Sequence, residues 1–115
     1  MTGVVVQKFG GSVLVDEAAY DRAALRVERT ATRGAKGVVV VSALKGTTDR
    51  LLVSARRIHA SPSPEALDLL LATGELKSAA CMSLALEKRG VAAKVLNPWQ
   101  AGLHTDGRAV WICLG

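Results

Sequence analysis

Aromatic residues are scarce in this sequence: they make up 3% of the 115 residues, although 50% of the residues are hydrophobic. Ala, Val and Leu must therefore fill the core, and such small side chains suit close packing of helices on a sheet. The scarcity also disfavours a nucleic-acid surface, because single-stranded bases stack on aromatic side chains that stand among basic ones. The net charge of +5 is scattered over several predicted helices, and we interpret it as solvated helix surface with a weak attraction for anionic substrates. A basic nucleic-acid binder is a rival interpretation that salt-sensitive affinity for DNA or RNA would reveal.

Cysteine is rarer still, and the two cysteines, Cys81 and Cys113, have no C-x-x-C or metal-ligand spacing. Both are predicted to be small buried hydrophobes in a reducing compartment. No basic segment followed by a long apolar run opens the sequence, so a signal peptide is not predicted. No stretch approaches the roughly 20 apolar residues of a membrane span. We therefore expect a cytoplasmic protein with no membrane partner, no nucleic-acid partner and no metal site of its own.

The first forty residues have the pattern of a strand, a helix and a second strand. Val4–Val6 predicts a buried strand that ends in a tight turn at Gly10-Gly11. A helix is predicted from the N-cap Asp16 to about Arg33, with Gly34 terminating it. Val38–Val41 is apolar at every position, which predicts a strand covered on both faces. A strand–helix–strand unit of this kind implies a parallel sheet.

The remainder continues the alternation of helices and strands. Ser63 is the expected N-cap of a helix whose first residue is Pro64, and Thr73-Gly74 is expected to break that helix. The predicted elements are helices at about Thr48–Ile58, Glu65–Ala72 and Glu75–Arg89, and strands at Val91–Leu96 and Arg108–Leu114. The predicted fold class is α/β, a three-layer αβα arrangement with a mostly parallel sheet. We expect residues 1–115 to form one partial domain.

Polar or glycine-rich segments follow the predicted strands. Ligands of open parallel sheets bind beyond the carboxyl ends of the strands. Lys8–Ser12, Ser42–Asp49 and Asn97–Asp106 fall at such ends, and Thr73–Glu75 lies at the predicted helix break. The coincidence of these segments predicts a ligand site at this edge of the sheet.

The Lys8–Ser12 segment has the chemistry of a phosphate loop. Adjacent glycines let the backbone approach a ligand and aim N–H groups at phosphate oxygens, and Lys8 adds a positive charge. The segment lacks the Gly-x-x-x-x-Gly-Lys-Ser spacing of a Walker A loop and the Gly-x-Gly-x-x-Gly pattern. Taken alone, it is more typical of an ordinary turn from a strand to a helix.

Five motifs in order resemble those of aspartate kinases, a branch of the amino-acid kinase family. They are Lys8-Phe9-Gly10-Gly11-Ser12, Val38 to Leu44, Thr47-Thr48-Asp49, Thr73-Gly74-Glu75 and Gln100-Ala101-Gly102. The family patterns are Lys-Phe/Tyr-Gly-Gly-Thr/Ser-Ser, a valine strand into Ser-Ala-Met, Thr-Thr-Asp, Ala-Gly-Glu-Arg and Ser-Gln-Ala-Gly. Acetylglutamate, glutamate and uridylate kinases share the fold but are less similar at Thr-Thr-Asp and Gln-Ala-Gly.

The resemblance implies transfer of the ATP γ-phosphoryl group to the side-chain carboxylate of L-aspartate, the first step toward lysine, threonine and methionine. ATP would be the co-substrate, and Mg²⁺ would bridge its phosphates. Lys8 would be the catalytic residue, and Thr48 and Glu75 would hold the amino acid. The ATP phosphates would be contacted by Lys8, Phe9, Gly10, Gly11, Ser12 and Ser42. A homo-oligomer or a complementing subunit is also compatible with the resemblance.

Simpler roles for these side chains stay open. Glu75 could be a first-turn carboxylate favoured by a helix dipole, and Ser42 the polar end of a strand. One of Thr47 and Thr48 is expected to be a helix N-cap. The alternative function is a non-catalytic truncated remnant or assembly module without an adenine site, whose exposed sheet edge a partner would cover.

Three positions depart from the aspartate-kinase pattern. Val13 stands in place of a hydroxyl residue, Leu76 in place of the arginine after the glutamate, and Lys45-Gly46 in place of Gly-Asp. Together these departures predict weakened or altered substrate binding.

Overall fold

The computed structural model of the chain describes residues 3–97. Its elements are β1 (Val4–Phe9), α1 (Ala18–Thr32), β2 (Lys36–Val41), α2 (Thr47–Ile58) and α3 (Pro64–Lys88). The two strands pair in parallel, with Val4 opposite Lys36 and Phe9 opposite Val41. The predicted α/β class with a parallel sheet is thereby confirmed.

One face of this sheet forms the core together with α1 and α3. Phe9, Val39 and Val41 are buried on it, and the core contains few large side chains, as the composition predicts. The helices contribute mainly small residues, among them Ala19, Ala23, Ala24 and Ala79. Small side chains let the helices lie close to the strands.

The other face of the sheet is not covered by any helix within residues 3–97. Val4 and Val6, whose side chains alternate with the buried ones, are 64% and 65% exposed. Val38 and Val40 are half-buried. Within residues 3–97 the helices cover one face of the sheet, because α2 packs on α3 and not on the sheet.

The helix ends follow the sequence signals closely. Gly34 has a φ of 81° just after α1, the left-handed conformation that terminates helices. Ser63 is the N-cap of α3, its Oγ accepting a hydrogen bond from Ala66 N–H at 3.3 Å, and Pro64 is the first helical residue. Asp16 Oδ1 accepts from Ala19 N–H at 3.0 Å, although Glu17 is the residue that directly precedes α1.

The predicted break at Thr73-Gly74 was wrong, because α3 is one helix of 25 residues. The Thr73 hydroxyl donates to the carbonyl of Leu70 at 2.6 Å and so stays within the helix. Gly74 is buried in the contact between α3 and the β2–α2 loop. The helix continues through this glycine because packing outweighs its low helix propensity.

The α3 helix is also long and apolar enough to cross a membrane by length and composition, contrary to the expectation from sequence. Its inner side carries Ala79, Met82 and Leu86 into the core beside α1 and β2. Core helices of globular proteins meet the same length and composition criterion.

The segment after α3 differs from the predicted strand Val91–Leu96. Gly90 has a φ of 75°, and the Val91 N–H donates to the carbonyl of Leu86 at 2.9 Å, a Schellman-type helix end. Residues 91–95 form no strand, and Leu96 makes an isolated bridge. The Val91 N–H is used to cap the helix and is not free for a strand ladder. The predicted strand Arg108–Leu114 and the Gln100-Ala101-Gly102 motif lie outside the described residues.

Candidate functional site

The loop after β1 is a tight turn with an open outer surface. Val13 N–H and Leu14 N–H donate to the Gly10 carbonyl at 3.0 and 2.9 Å, and the fully buried side chain of Leu14 anchors the turn. Gly10 and Gly11 do not have a positive φ, and a Cβ at either would meet nothing within 4 Å. Neither backbone conformation nor internal packing therefore requires glycine at these two positions. Because no other atoms surround their outer surface, a ligand can approach it.

Lys8 and Phe9 end β1 on opposite faces of the sheet. Phe9 is 4% exposed and belongs to the core, whereas Lys8 is exposed, opposite Val40 on the uncovered face. Ser12 is exposed on the turn that follows. Among the residues predicted to contact phosphate, Phe9 is thus held by packing, and Lys8 and Ser12 reach solvent at the carboxyl edge of the sheet.

The loop after β2 lies directly beside the first loop. Ser42 N–H donates to the Phe9 carbonyl at 3.1 Å, one residue beyond the strand pairing, and Lys45 N–H donates to the Leu14 carbonyl at 2.9 Å. Ser42 is half-buried, and its hydroxyl donates to the Ala43 carbonyl at 3.0 Å. The two loops are therefore joined by backbone hydrogen bonds.

The start of α2 differs from the prediction of a threonine cap. The N-cap is Gly46, with a φ of 83° and no side-chain capping bond, and Thr47 is the first helical residue. Thr47 Oγ1 accepts from Arg50 Nη2 at 3.3 Å, while Thr48 is exposed. No threonine hydroxyl caps α2. The hydroxyl of Thr48 therefore does not have the capping role that the sequence suggested.

The middle of α3 meets the β2–α2 loop. A Cβ added at Gly74 would lie 3.1 Å from Thr47 Cγ2 and 3.2 Å from Ala43 Cβ. Thr73 is exposed on one side of Gly74, and Glu75 is half-buried on the other. Glu75 thus lies inside a continuous helix, so the simpler explanation of a first-turn carboxylate stabilised by the helix dipole does not apply.

Direct contacts therefore bring together Lys8–Ser12, Ser42–Thr48 and Thr73–Glu75 at the carboxyl edge of the sheet. All predicted site residues lie in these three segments. Sequence reasoning missed the structural roles of Gly46 and Gly74. The signal for Gly74 was present as a glycine inside an otherwise apolar helical run, which indicates a packing or functional reason when the helix does not break.

The charged side chains of the loops are compatible with an anionic ligand. Lys8 and Lys45 are exposed, and residues 3–97 contain no group of three or more His, Cys, Asp or Glu side chains placed to hold a metal ion. Mg²⁺ at phosphate-transfer sites is commonly bound by substrate phosphates, water and one or two carboxylates.

Fold and site together define an α/β protein with a lysine- and glycine-containing loop at the carboxyl edge of a parallel sheet. Residues 3–111 match the amino acid kinase family. The chain belongs to that family.

Aspartokinases are the relatives to which this chain is similar. It is 40% identical over 104 residues to the aspartokinase of Geobacillus stearothermophilus, covering 90% of this chain and 26% of that protein. It is 42% identical over 104 residues to the aspartokinase of Mycolicibacterium smegmatis, covering 90% of this chain and 25% of that protein. The chain thus spans about a quarter of the length of these relatives.

A solved structure has a similar fold over most of this chain. The crystal structure of aspartate kinase from Synechocystis superposes with a TM-score of 0.75 and 40% sequence identity, covering 79% of this chain and 16% of that chain. The fold and the family predicted from the motifs are thereby confirmed.

Proposed function

We propose that this chain carries the phosphate-binding and amino-acid-binding part of an aspartate-kinase-type phosphotransferase. The supporting observation is the contact of three separate segments, Lys8–Ser12, Ser42–Thr48 and Thr73–Glu75, at one edge of the sheet. The relatives at about 40% identity are aspartokinases. The coarser conclusion, membership of a kinase family, does not depend on this proposal.

In the proposed reaction a side-chain carboxylate oxygen of L-aspartate attacks the γ-phosphorus of ATP. The bond from that phosphorus to the bridging oxygen breaks, ADP leaves with the electron pair, and 4-phospho-L-aspartate forms. Catalysis of such a transfer depends mainly on positioning and on stabilisation of charge. Lys8 would neutralise charge on the transferring group, and the backbone N–H groups of Gly10 and Gly11 would bind phosphate oxygens.

The remaining site residues would orient the two substrates. Phe9 fixes the loop by its burial, and Ser12 and Ser42 would donate hydroxyl hydrogen bonds to phosphate. Thr48 would contact the amino acid, and the carboxylate of Glu75 would pair with its α-ammonium group. Mg²⁺, entering with ATP, would screen the phosphate charge. A cytoplasmic location would supply both substrates.

A hydroxamate assay tests the proposal through Lys8. The chain, alone and mixed with candidate partner chains, is incubated with ATP, Mg²⁺, L-aspartate and hydroxylamine, which converts the acyl phosphate into a hydroxamate. We expect product, and we expect Lys8→Ala to lower its rate by a factor of about 100 or more, as loss of a charge-stabilising donor does elsewhere.

The matched control is Lys36→Ala, which removes the same exposed charge at the opposite end of the sheet and should leave the rate within about twofold of the unmodified chain. Absence of hydroxamate under every condition would refute catalysis. Equal losses in both variants would refute the role of Lys8.

A second function is supported by the uncovered sheet face. Val4 and Val6 are 64% and 65% exposed, which favours a non-catalytic assembly module whose apolar surface another subunit covers. Analytical ultracentrifugation with nucleotide-binding calorimetry separates the two functions. An associating chain that binds no ATP supports the module, and a chain that binds ATP in any oligomeric state supports the kinase.

A further inference from the structure

Gly74 has much less space around it than Gly10, Gly11 or Gly37. A Cβ at this position would lie 3.1 Å from Thr47 Cγ2, 3.2 Å from Ala43 Cβ and 3.5 Å from Leu51 Cδ1. Cβ contacts between 3.0 and 3.4 Å are tighter than nine in ten found in proteins. At Gly10, Gly11 and Gly37 an added Cβ would meet nothing within 4 Å.

The groups facing Gly74 cannot easily move away. Ala43 is 7% exposed, and its methyl group has no side-chain torsion that could carry it elsewhere. Its backbone lies between the Ser42 N–H bond to Phe9, at 3.1 Å, and the Thr47 N–H bond to Leu44, at 3.0 Å. The side chain of Thr47 is β-branched, and its Oγ1 accepts from Arg50 at 3.3 Å.

Glycine is otherwise an unfavourable choice at this place. It lies in the interior of a 25-residue helix, where alanine has the higher helix propensity. Its φ is not positive, so backbone conformation does not require it either. The close approach of α3 to the β2–α2 loop is the remaining reason for a glycine.

We infer that Gly74 is a positioning residue, which sets the distance between α3 and the β2–α2 loop and thereby places Glu75 relative to Ser42 and Thr48. A methyl group at Gly74 would displace α3 from Ala43 by a few tenths of an ångström, and Glu75, the next residue, would move with it. The inference rests on the proposed function for the substrate contact of Glu75. The contact geometry itself does not.

Three variants test this role. Gly74→Ala adds the methyl group, and Gly74→Ala with Ala43→Gly removes the opposing one. Gly37→Ala, in β2, is the matched control because an added Cβ there meets nothing within 4 Å. Calorimetry measures the affinities for L-aspartate and for a non-hydrolysable ATP analogue with Mg²⁺, and amide chemical shifts report the positions of Glu75 and Ser42.

We expect Gly74→Ala to weaken L-aspartate binding about tenfold, because small misplacements of positioned groups have large effects. Binding of the nucleotide analogue should stay within about twofold, and the Ala43→Gly exchange should restore most of the lost aspartate affinity. If Gly74 has only a structural role, Gly74→Ala will change the affinities for L-aspartate and for the nucleotide analogue together, or will lower stability and change neither affinity. Either result overturns the inference.

The remaining outcomes also decide the question. If the unmodified chain binds neither ligand, the proposed function fails. The positioning role is then judged by whether the Glu75 and Ser42 amide shifts move in Gly74→Ala, return in the double variant and stay in place in Gly37→Ala. If Gly74→Ala does not fold, recovery of folding in the double variant supports the contact, and a double variant that also fails to fold refutes it.

Discussion

At the scale of single residues, Tyr20 and Ser78 form a buried polar contact between α1 and α3. The Tyr20 hydroxyl lies 2.8 Å from Ser78 Oγ, and the two residues are 5% and 1% exposed. Burial raises the pKa of Tyr20 above its ordinary value of 10.0, and the hydrogen bond to Ser78 offsets part of that rise. The sequence alone does not indicate this contact, because the two residues are 58 positions apart.

We expect Tyr20→Phe to lower the free energy of unfolding by about 1–2 kcal/mol, because it leaves the Ser78 hydroxyl buried without its partner. Urea denaturation measures the loss. The double variant Tyr20→Phe with Ser78→Ala removes both hydroxyls and should be more stable than Tyr20→Phe alone. A double variant with the summed losses of the two single variants would mean that the hydroxyls do not interact.

At the scale of elements, α3 has a well-defined beginning and end and an unexpected middle. Ser63 and Pro64 mark its beginning as the sequence predicts, and it ends within a residue of the predicted Arg89, because capping depends on residues within one turn. Its continuity through Gly74 depends on contacts with Ala43 and Thr47, some 30 positions earlier in the sequence. Local signals therefore located the ends of the helix, and tertiary packing kept it unbroken.

We expect Ser63→Ala to lower the free energy of unfolding by about 1 kcal/mol, because the Ala66 N–H loses the acceptor that it has at 3.3 Å. Ser61→Ala is the matched control: Ser61 is also exposed in the same connection, and its hydrogen bond to His59 Nδ1 uses the backbone N–H. Thermal unfolding of both variants measures the difference. Equal changes would show that the Ser63 hydroxyl does not cap α3.

At the scale of the whole molecule, an ion-pair group connects α1 to the end of α3. Arg89 donates from Nε and Nη2 to the two carboxylate oxygens of Asp21, at 3.1 and 3.0 Å, and from Nη1 to Glu28 at 3.0 Å. The hydrogen bonds from Arg89 hold the pKa of the Asp21 carboxyl below its ordinary value of 3.8. Asp21 is exposed, so solvent and salt screen the pair.

A depressed pKa in the folded state gives a definite pH dependence. The contribution of Asp21 is fully present above its unfolded value of 3.8 and is lost as the pH falls through its lower folded value. We expect Asp21→Asn to make the acid-side fall of the melting temperature shallower below pH 3.8. Asp68→Asn, at an exposed position of α3, is the control, and an identical acid profile for Asp21→Asn and the unmodified chain would refute the prediction.

The sequence by itself determined most of the local features of this protein: strands β1 and β2, the ends of α1 and α3, the order of the motifs and the family to which they belong. These follow from side-chain periodicity and from hydrogen bonds within a few residues. Only the tertiary structure decided that α3 runs through Gly74, that the Val91 N–H caps a helix and that no helix of residues 3–97 covers the second sheet face. Each of these outcomes depends on which distant segment lies nearby, such as Ala43 beside Gly74, and no local pattern encodes that proximity.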